Sequence, residues 1–354
     1  MIEYRQGNLL ASHAEALVNT VNCVGIMGKG IALQFKQAFP HNFQIYEQAC
    51  RAGEVQPGKM LVVAADIVSN PKFIINFPNK RHWKGKSKLE DIKLGLPELV
   101  DTVRNLGVKS VAIPPLGCGN GGLDWSEVGP LIEAAFADIA ADVQVLIYAP
   151  AGAPTSDAMP VATSKPRMTR SRALLVRVLE CYGLPGYRLS LLEVQKLAYF
   201  LQAAGEDLKL QYAKHTFGPY AETLHHVLQR IEGHYIRGYG DRSSQAEIDL
   251  LPGAAAEAKA FLAGSLHDDR YMQRIIHLIE GFETPYGMEL LASVHWVIHE
   301  EPDIADDLAA ATEKIYAWNE RKRRIFKPEH IAKAWKRLQE QDWLPVTADV
   351  ATGT

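Results

Sequence analysis

Two glycine-rich stretches stand at the ends of apolar runs. The first, Leu17-Val18-Asn19-Thr20-Val21-Asn22-Cys23-Val24-Gly25-Ile26-Met27-Gly28-Lys29-Gly30-Ile31-Ala32, passes from a strand-like segment through a loop into a helical pattern starting near Ile31. Glycine has no Cβ, so backbone N–H groups in such a loop can approach a diphosphate, and a helix N-terminus adds a field that favours its charge. Alone, the stretch also fits an ordinary strand-to-helix turn, in which glycine serves geometry only. The second, Val111-Ala112-Ile113-Pro114-Pro115-Leu116-Gly117-Cys118-Gly119-Asn120-Gly121-Gly122-Leu123-Asp124-Trp125, repeats the logic at another strand end. Two such loops can pinch one diphosphate between them.

A third stretch, Phe77-Pro78-Asn79-Lys80-Arg81-His82-Trp83-Lys84, follows the apolar run Phe73 to Phe77. A lysine at the carboxyl end of a strand lies on the ligand-binding edge of an α/β sheet; the competing reading is a solvated basic loop. An amine attacks carbon only when deprotonated, so nucleophilic use of Lys80 requires desolvation or neighbouring cations such as Arg81 to lower its pKa. A charged Lys80 can instead stabilise a leaving group. Arg81, His82 and Trp83 are candidates for contact with a nucleic-acid strand, the indole stacking on a base and the cations facing phosphate. Trp83 as a packing residue is the alternative. Cys23, Cys50, Cys118 and Cys181 are widely spaced, with no C-x-x-C pair and no histidine at zinc spacing. Neither a disulfide framework, nor a metal site, nor a redox cofactor is expected.

These residues need elements to hold them. Apolar runs at Ala16 to Val21, Met60 to Ala65, Phe73 to Phe77, Ser110 to Ile113 and Val143 to Tyr148 read as buried strands. Between them, Ile31 to Phe39, Leu89 to Leu106 and Trp125 to Ala140 carry apolar residues at helical spacing. The alternation predicts a three-layer α/β domain over residues 1–150 with a mainly parallel, mixed sheet. Small and polar residues make 151–166 a linker. A mostly α-helical second domain is expected over 167–344, followed by a flexible tail at 345–354. Its candidate helices are Leu174 to Tyr182, Leu191 to Ala203, Ala221 to Ile231, Ala254 to Leu262, Tyr271 to Gly281, Gly287 to His299, Ile304 to Trp318 and Pro328 to Leu338.

The 354 residues suit two domains, and 47 % apolar with 22 % charged residues supply ordinary cores. A net charge of −3 is too small to argue for a nucleic-acid coat or for an acidic solvating protein. Residues 1–150 balance 14 basic against 14 acidic residues, so the excess of 27 acidic over 24 basic lies beyond them. The N-terminal residues lack a basic start followed by an apolar core, and no apolar run reaches the ~20 residues that span a bilayer. A cytoplasmic protein without a membrane partner is expected.

With Gly7-Asn8-Leu9-Leu10 after the first strand, the two glycine loops resemble the macrodomain family, which binds ADP-ribose. The resemblance covers residues 1–150. It implies that Asn8 stands where the family usually carries the aspartate that contacts adenine, with Leu9 beside it, and that Asn22 lies near the distal ribose. Gly28, Lys29, Gly30 and Ile31 match the first phosphate loop; Gly117, Cys118, Gly119, Asn120, Gly121 and Gly122 match the second, with Cys118 as a small loop residue. The stretch around Lys80 resembles the lysine-dependent branch, in which a lysine next to an arginine acts on the anomeric carbon of the distal ribose. Lys80 and Asn22 are thus the implied catalytic pair. Related enzymes also use an aspartate in the second loop; here that position is Gly121, and Asp124 lies three residues later, which leaves more of the burden on Lys80.

Farther along, Lys196-Leu197-Ala198-Tyr199-Phe200-Leu201-Gln202 and His215-Thr216-Phe217-Gly218-Pro219-Tyr220 give an amphipathic helix and a Gly-Pro turn expected to open another helix. Behind this first domain they resemble the C-terminal domain of the DarG antitoxin family, whose members counteract DarT toxins that attach ADP-ribose to thymidine in single-stranded DNA. The resemblance implies a hydrolase that releases ADP-ribose from such DNA, joined to a domain that binds a DarT-like ADP-ribosyltransferase. A non-catalytic ADP-ribose reader, or a hydrolase of ADP-ribosylated protein carboxylates, are the alternatives. Between Asp241 and Glu313, 15 acidic residues face four basic ones, a sign suited to occupying a toxin's cationic DNA groove, or simply to solvated helix faces. The run Arg321-Lys322-Arg323-Arg324 either meets DNA or balances that acidity.

Overall fold

The computed structural model describes residues 1–65, 70–152, 154–183, 187–242, 245–263 and 266–345. The chain forms two compact units: Met1–Ser164 with Gly240–Ser244, and Lys165–Tyr239 with Gln245–Thr354. In the first unit the elements run β1 (Ile2–Arg5), β2 (Ala16–Asn22), α1 (Gly30–Ala38), α2 (Pro40–Arg51), β3 (Leu61–Ala64), β4 (Phe73–Lys80), α3 (Leu89–Leu106), β5 (Ser110–Ile113), α4 (Trp125–Phe136) and β6 (Gln144–Tyr148). They build one six-stranded sheet in the order β1-β6-β5-β2-β4-β3. All neighbours are parallel except β3, which pairs antiparallel with β4.

Both faces of the sheet are covered, which is why its strands read as near-continuous apolar runs. Ile75, Phe77, Val111, Ile113 and Val145 face α3 and α4 through Ile92, Leu99, Ile132 and Phe136. Their neighbours Ile74, Ala112 and Leu146 point to the opposite face and pack with Leu17 and Phe35. Gly95 lets α3 approach closely: a Cβ there would lie 2.4 Å from the Phe77 ring.

The helix α2 was not anticipated. Pro40 stands at its first turn, where a missing N–H costs nothing, and Phe43, Tyr46, Ala49 and Cys50 give it an apolar face. The pattern read as one helix from Trp125 to Ala140 resolves into α4 and a 3-10 turn at Ala137–Ile139. Within the stretch read as a linker, a 3-10 turn spans Ser156–Ala158, Met159 is buried, and the Ala162 N–H bonds to the Gln37 carbonyl at 2.8 Å.

The second unit is mostly helical: α5 (Arg170–Tyr182), α6 (Leu191–Ala203), α7 (Leu224–Ile231), α8 (Ala254–Leu262), α9 (Leu266–Ile279), α10 (Pro285–Glu300), α11 (Leu308–Trp318), α12 (Glu320–Ile325) and α13 (Pro328–Glu340) surround a core that includes Leu174, Leu197, Phe200, Leu291, Ile315 and Ile331. Short strands β7 (Leu189–Ser190), β8 (Ala213–His215), β9 (Gly218–Tyr220), β10 (Ile236–Arg237) and β11 (Glu247–Leu250) accompany them. The Gly-Pro pair belongs to β9 and not to a helix start. Its geometry is fixed from inside, because the buried Lys196 Nζ donates to the Pro219 carbonyl at 2.7 Å, and α7 begins only at Leu224. Residues 346–354, nearly all of the expected tail, lie outside the described residues. Among the described residues no helix is long and apolar enough to cross a membrane.

Candidate active site

The strands β2 and β4 end side by side. A bulge between Val21 and Asn22 shifts their register so that Asn22 pairs with Lys80. From there the Lys80 ammonium reaches the second glycine loop and donates to the Asn120 carbonyl at 2.5 Å. The first loop arrives at the same residue: a Cβ on Gly30 would lie 2.7 Å from Asn120 Nδ2. Both phosphate-loop candidates and Lys80 therefore meet at Asn120. Burial removes water from the Lys80 amine and pulls its pKa below the usual lysine value.

The first loop is shaped by Asn22, whose Oδ1 accepts from the N–H groups of Val24 (3.0 Å) and Ile26 (3.3 Å) while its Nδ2 donates to the Ile26 carbonyl at 2.5 Å. Tyr46 on α2 donates its hydroxyl to the Asn22 carbonyl at 2.7 Å. Beneath it, Asn19, Asn42 and Asn76 form a buried amide network, Asn19 Nδ2 donating to Asn76 Oδ1 at 2.9 Å and Asn76 Nδ2 to Asn42 Oδ1 at 2.7 Å. Sequence reasoning missed these four residues; the one signal was an asparagine inside each of two apolar strand runs, a polar atom that must find a partner when buried. At the loop's far end the Gly30 N–H donates to the Asp241 carbonyl at 2.8 Å, and Gln34 Nε2 donates to Asp241 Oδ2 at 2.7 Å, all within the first unit. Lys29 and Ile31 flank that point, Lys29 as N-cap of α1. Gly28 precedes them.

The second loop needs its glycines. Gly117 and Gly122 have φ of +75° and +78°, and a Cβ on Gly121 would lie 2.2 Å from the Gly117 carbonyl oxygen. The loop closes on itself through Gly122 N–H to the Gly119 carbonyl (3.0 Å) and Leu123 N–H to the Gly117 carbonyl (3.1 Å). The N–H groups of Gly119, Asn120 and Gly121 have no acceptor among the described residues. Such successive amides form a concavity suited to an anion. Cys118 bonds its thiol to the Leu116 carbonyl at 3.5 Å, and burial pushes its pKa up to about 11. It is a protonated filler of the loop. Asp124 is committed to capping α4, accepting from the Ser126 N–H at 2.9 Å.

The remaining expected residues have partners of their own. Asn8 caps the 3-10 turn Leu9–Ala11 and donates Nδ2 to the Ala158 carbonyl at 2.8 Å, while the Leu9 side chain is buried in the core. Arg81 is held against Asp91 on α3, with N···O distances of 3.1 and 3.4 Å. His82 and Trp83 lie exposed beyond it.

Two glycine loops poised over adjacent strand ends of a mainly parallel sheet, with a half-buried lysine at their junction, make the first unit a nucleotide-diphosphate-binding α/β domain, and the Macro domain family model matches residues 18–132. A DNA ADP-ribosyl glycohydrolase from Thermus aquaticus is 48 % identical over 322 residues, 91 % of this chain and 89 % of the relative. The chain belongs to that DNA ADP-ribosyl glycohydrolase family, the DarG proteins. A DNA ADP-ribosyl transferase-DNA ADP-ribosyl glycohydrolase fusion protein from Thermosipho africanus is 34 % identical over 160 residues, 41 % of each chain. Among solved structures, the macrodomain of Mycobacterium tuberculosis DarG is 54 % identical and aligns with 43 % of this chain and 99 % of its own, with a TM-score of 0.42.

Proposed function

We propose that the first unit hydrolyses the bond between ADP-ribose and thymidine in single-stranded DNA, and that the second unit binds and neutralises a DarT-like DNA ADP-ribosyltransferase. The observation that carries the first half is the convergence of Lys80 and both glycine loops on Asn120. The diphosphate of the modified nucleotide lies against the amides of Gly119, Asn120 and Gly121 and the start of α1, with Asn8 and Leu9 toward the adenosine end. The distal ribose is then presented to the Asn22 and Lys80 strand ends. Holding the reacting atoms in this way supplies much of the catalytic effect.

The lowered pKa of Lys80 favours its free-amine form. That amine attacks the anomeric carbon, and the C–N bond to the base breaks with its electron pair going to the base nitrogen. The base nitrogen takes up the proton shed by the attacking amine. Water then displaces lysine from the sugar carbon, which releases ADP-ribose and restores the amine. The reading places the reaction in the cytoplasm.

The toxin-binding half is supported by the fused transferase in the Thermosipho africanus relative and by the exposed acids Glu300, Glu301, Asp303, Asp306, Asp307 and Glu313. Asp241 and Glu289 are buried and do not add to that surface. The basic run at 321–324 is divided: Arg321 and the buried Lys322 both donate to Glu289, at 2.6 and 2.7 Å, and Arg323 and Arg324 are exposed.

The test is release of ADP-ribose from an oligonucleotide ADP-ribosylated on thymidine, beside a protein ADP-ribosylated on carboxylates. Turnover of the DNA alone is the expected result. Binding without turnover would make the protein a reader, and preference for the protein substrate would overturn the DNA assignment. For the second unit, residues 168–354 are expected to suppress toxin activity, and failure to bind a neighbouring ADP-ribosyltransferase counts against that role.

A further inference from the structure

The segment after Lys80 carries features that the cleavage chemistry does not use. Between residues 80 and 88 stand Lys80, Arg81, Lys84, Lys86 and Lys88, with no acidic residue. Arg81 is taken by Asp91. Lys84, Lys86 and Lys88 remain exposed. At the tip, Trp83 is 49 % exposed, the one tryptophan among the exposed large apolar side chains of the described residues. Its ring stacks on His82 with centroids 5.7 Å apart and planes inclined by 28°, and Lys84 Nζ lies 5.1 Å from the indole centroid.

This tip is preformed. The Gly85 N–H donates to the His82 carbonyl at 3.0 Å, closing a turn around Trp83 and Lys84, and the Lys84 N–H donates to His82 Nδ1 at 3.3 Å. The other end of the segment is fastened to the second glycine loop through Ser87 N–H and the Gly121 carbonyl at 3.0 Å. A Cβ on Gly121 would lie 2.4 Å from Ser87 Oγ, so the two loops touch. A basic, aromatic-tipped loop is thus fixed at one end to Lys80 and at the other to the candidate phosphate loop. An exposed indole set among cations offers a π face for a base and charges for phosphates, and bases are free to leave the stack only in a single strand.

Resting on the hydrolase reading above, we propose that residues 82–88 are the docking surface for the DNA strand flanking the modified nucleotide: Trp83, backed by His82, stacks on one neighbouring base, and Lys84 and Lys86 take the adjoining phosphates. Lys84 moves off the indole as the base arrives. Arg81 secures the loop to α3 through Asp91. The loop recognises the strand by stacking and charge, and its contribution is tolerant of base identity.

The test is fluorescence anisotropy of the full chain with an unmodified thymidine-containing single strand and with its duplex, at several salt concentrations. Trp83→Ala is expected to weaken single-strand binding by roughly 5- to 150-fold, the range for removal of one base stack, with the salt slope unchanged. Trp83→Phe restores most of it. Lys84→Ala with Lys86→Ala is expected to lower the salt slope by about 1.4, at ~0.7 for each phosphate no longer neutralised. Free ADP-ribose binds all three variants as it binds the unsubstituted chain, which also reports that they fold. Unchanged single-strand affinity in Trp83→Ala, or a drop in duplex binding as large as that in single-strand binding, would overturn the proposal. Hydrolysis of the modified oligonucleotide by the unsubstituted chain is read separately. Hydrolysis with an unaltered KM in Trp83→Ala removes the docking surface and keeps the enzyme; weakened strand binding without any hydrolysis does the reverse.

Discussion

Asn22 and Lys80 are register partners only because β4 carries an extra residue, Asn79, opposite the Val21–Asn22 step of β2. The pairing below the bulge matches Val21 with Pro78, and an unbroken ladder would bring Asn79 opposite Asn22. Asn79 is buried in the strand. The extra residue thus brings the lysine, instead of a buried amide, to the edge where the two glycine loops meet.

The amine form of Lys80 makes a sharp prediction. Lys80→Ala is expected to reduce ADP-ribose release by at least about 100-fold, the lower end of what one acid, base or nucleophile contributes, while ADP-ribose affinity changes little. Lys80→Arg keeps the charge but cannot supply a free amine, so it is expected to be as inactive as the alanine variant. Because burial lowers the Lys80 pKa, the rate should rise with pH as the ammonium loses its proton and level off above that pKa. A pH–rate profile and single-turnover assays check both points. Retained activity in Lys80→Arg would assign Lys80 a purely electrostatic role.

Gly121→Ala probes the second loop. The new methyl would sit 2.2 Å from the Gly117 carbonyl oxygen and 2.4 Å from Ser87 Oγ, and one of those neighbours is backbone. The loop must open, so calorimetry should find ADP-ribose binding weakened at least about tenfold, a change of ~1.4 kcal/mol. Gly119→Ala is the control, since nothing lies within 4 Å of a Cβ there. Equal affinities for the two variants would separate loop geometry from binding.

Cys118 is expected to be dispensable. With its pKa pushed up to about 11, it holds its proton at neutral pH and is a poor nucleophile. Cys118→Ser should keep DNA hydrolysis within about threefold of the unsubstituted chain, because the replacement is close in size and can make the same bond to Leu116. Steady-state kinetics measure this, and a loss comparable to that of Lys80→Ala would place the thiol in the reaction.

The glycine loops were legible because their signal is local: a strand end, several glycines and a helix start lie within about a dozen consecutive residues, and φ values of +75° at Gly117 and +78° at Gly122 show what that spacing serves. The place of Lys80 after an apolar run also fits a solvated basic loop, and only the resemblance to the lysine-dependent branch singles it out. The bulge that aims it was not legible, since one added residue leaves composition and periodicity intact. Tyr46 stayed hidden with α2, whose apolar face is narrow and whose first residue is a proline. Asp241 lies more than 200 residues from its partner Gln34, beyond any local pattern. In the second unit, β9 has three residues, too few to show alternation, and the buried Lys196 that fixes it looked like the polar face of α6.

A last prediction concerns acid stability of the second unit. His295 on α10 is buried, accepts or donates a 2.7 Å hydrogen bond at Nδ1 with the Tyr199 hydroxyl, and has its pKa pushed down to about 3, first by desolvation and then by His299. An unfolded histidine titrates at about 6.5. Above that value neither state binds the proton, and His295 gives no pH dependence. Between about 6.5 and about 3 the unfolded chain binds it and the folded chain does not, so stability is lost as pH falls through that window. The slope approaches on the order of 1 kcal/mol per pH unit for one such group. His295→Gln removes the titration and retains a polar partner for Tyr199, so its unfolding midpoint should vary less with pH across the window. Tryptophan fluorescence in urea follows this unit through Trp296, Trp318, Trp335 and Trp343. Identical pH dependence in the variant and the unsubstituted chain would show that His295 protonates without unfolding its surroundings.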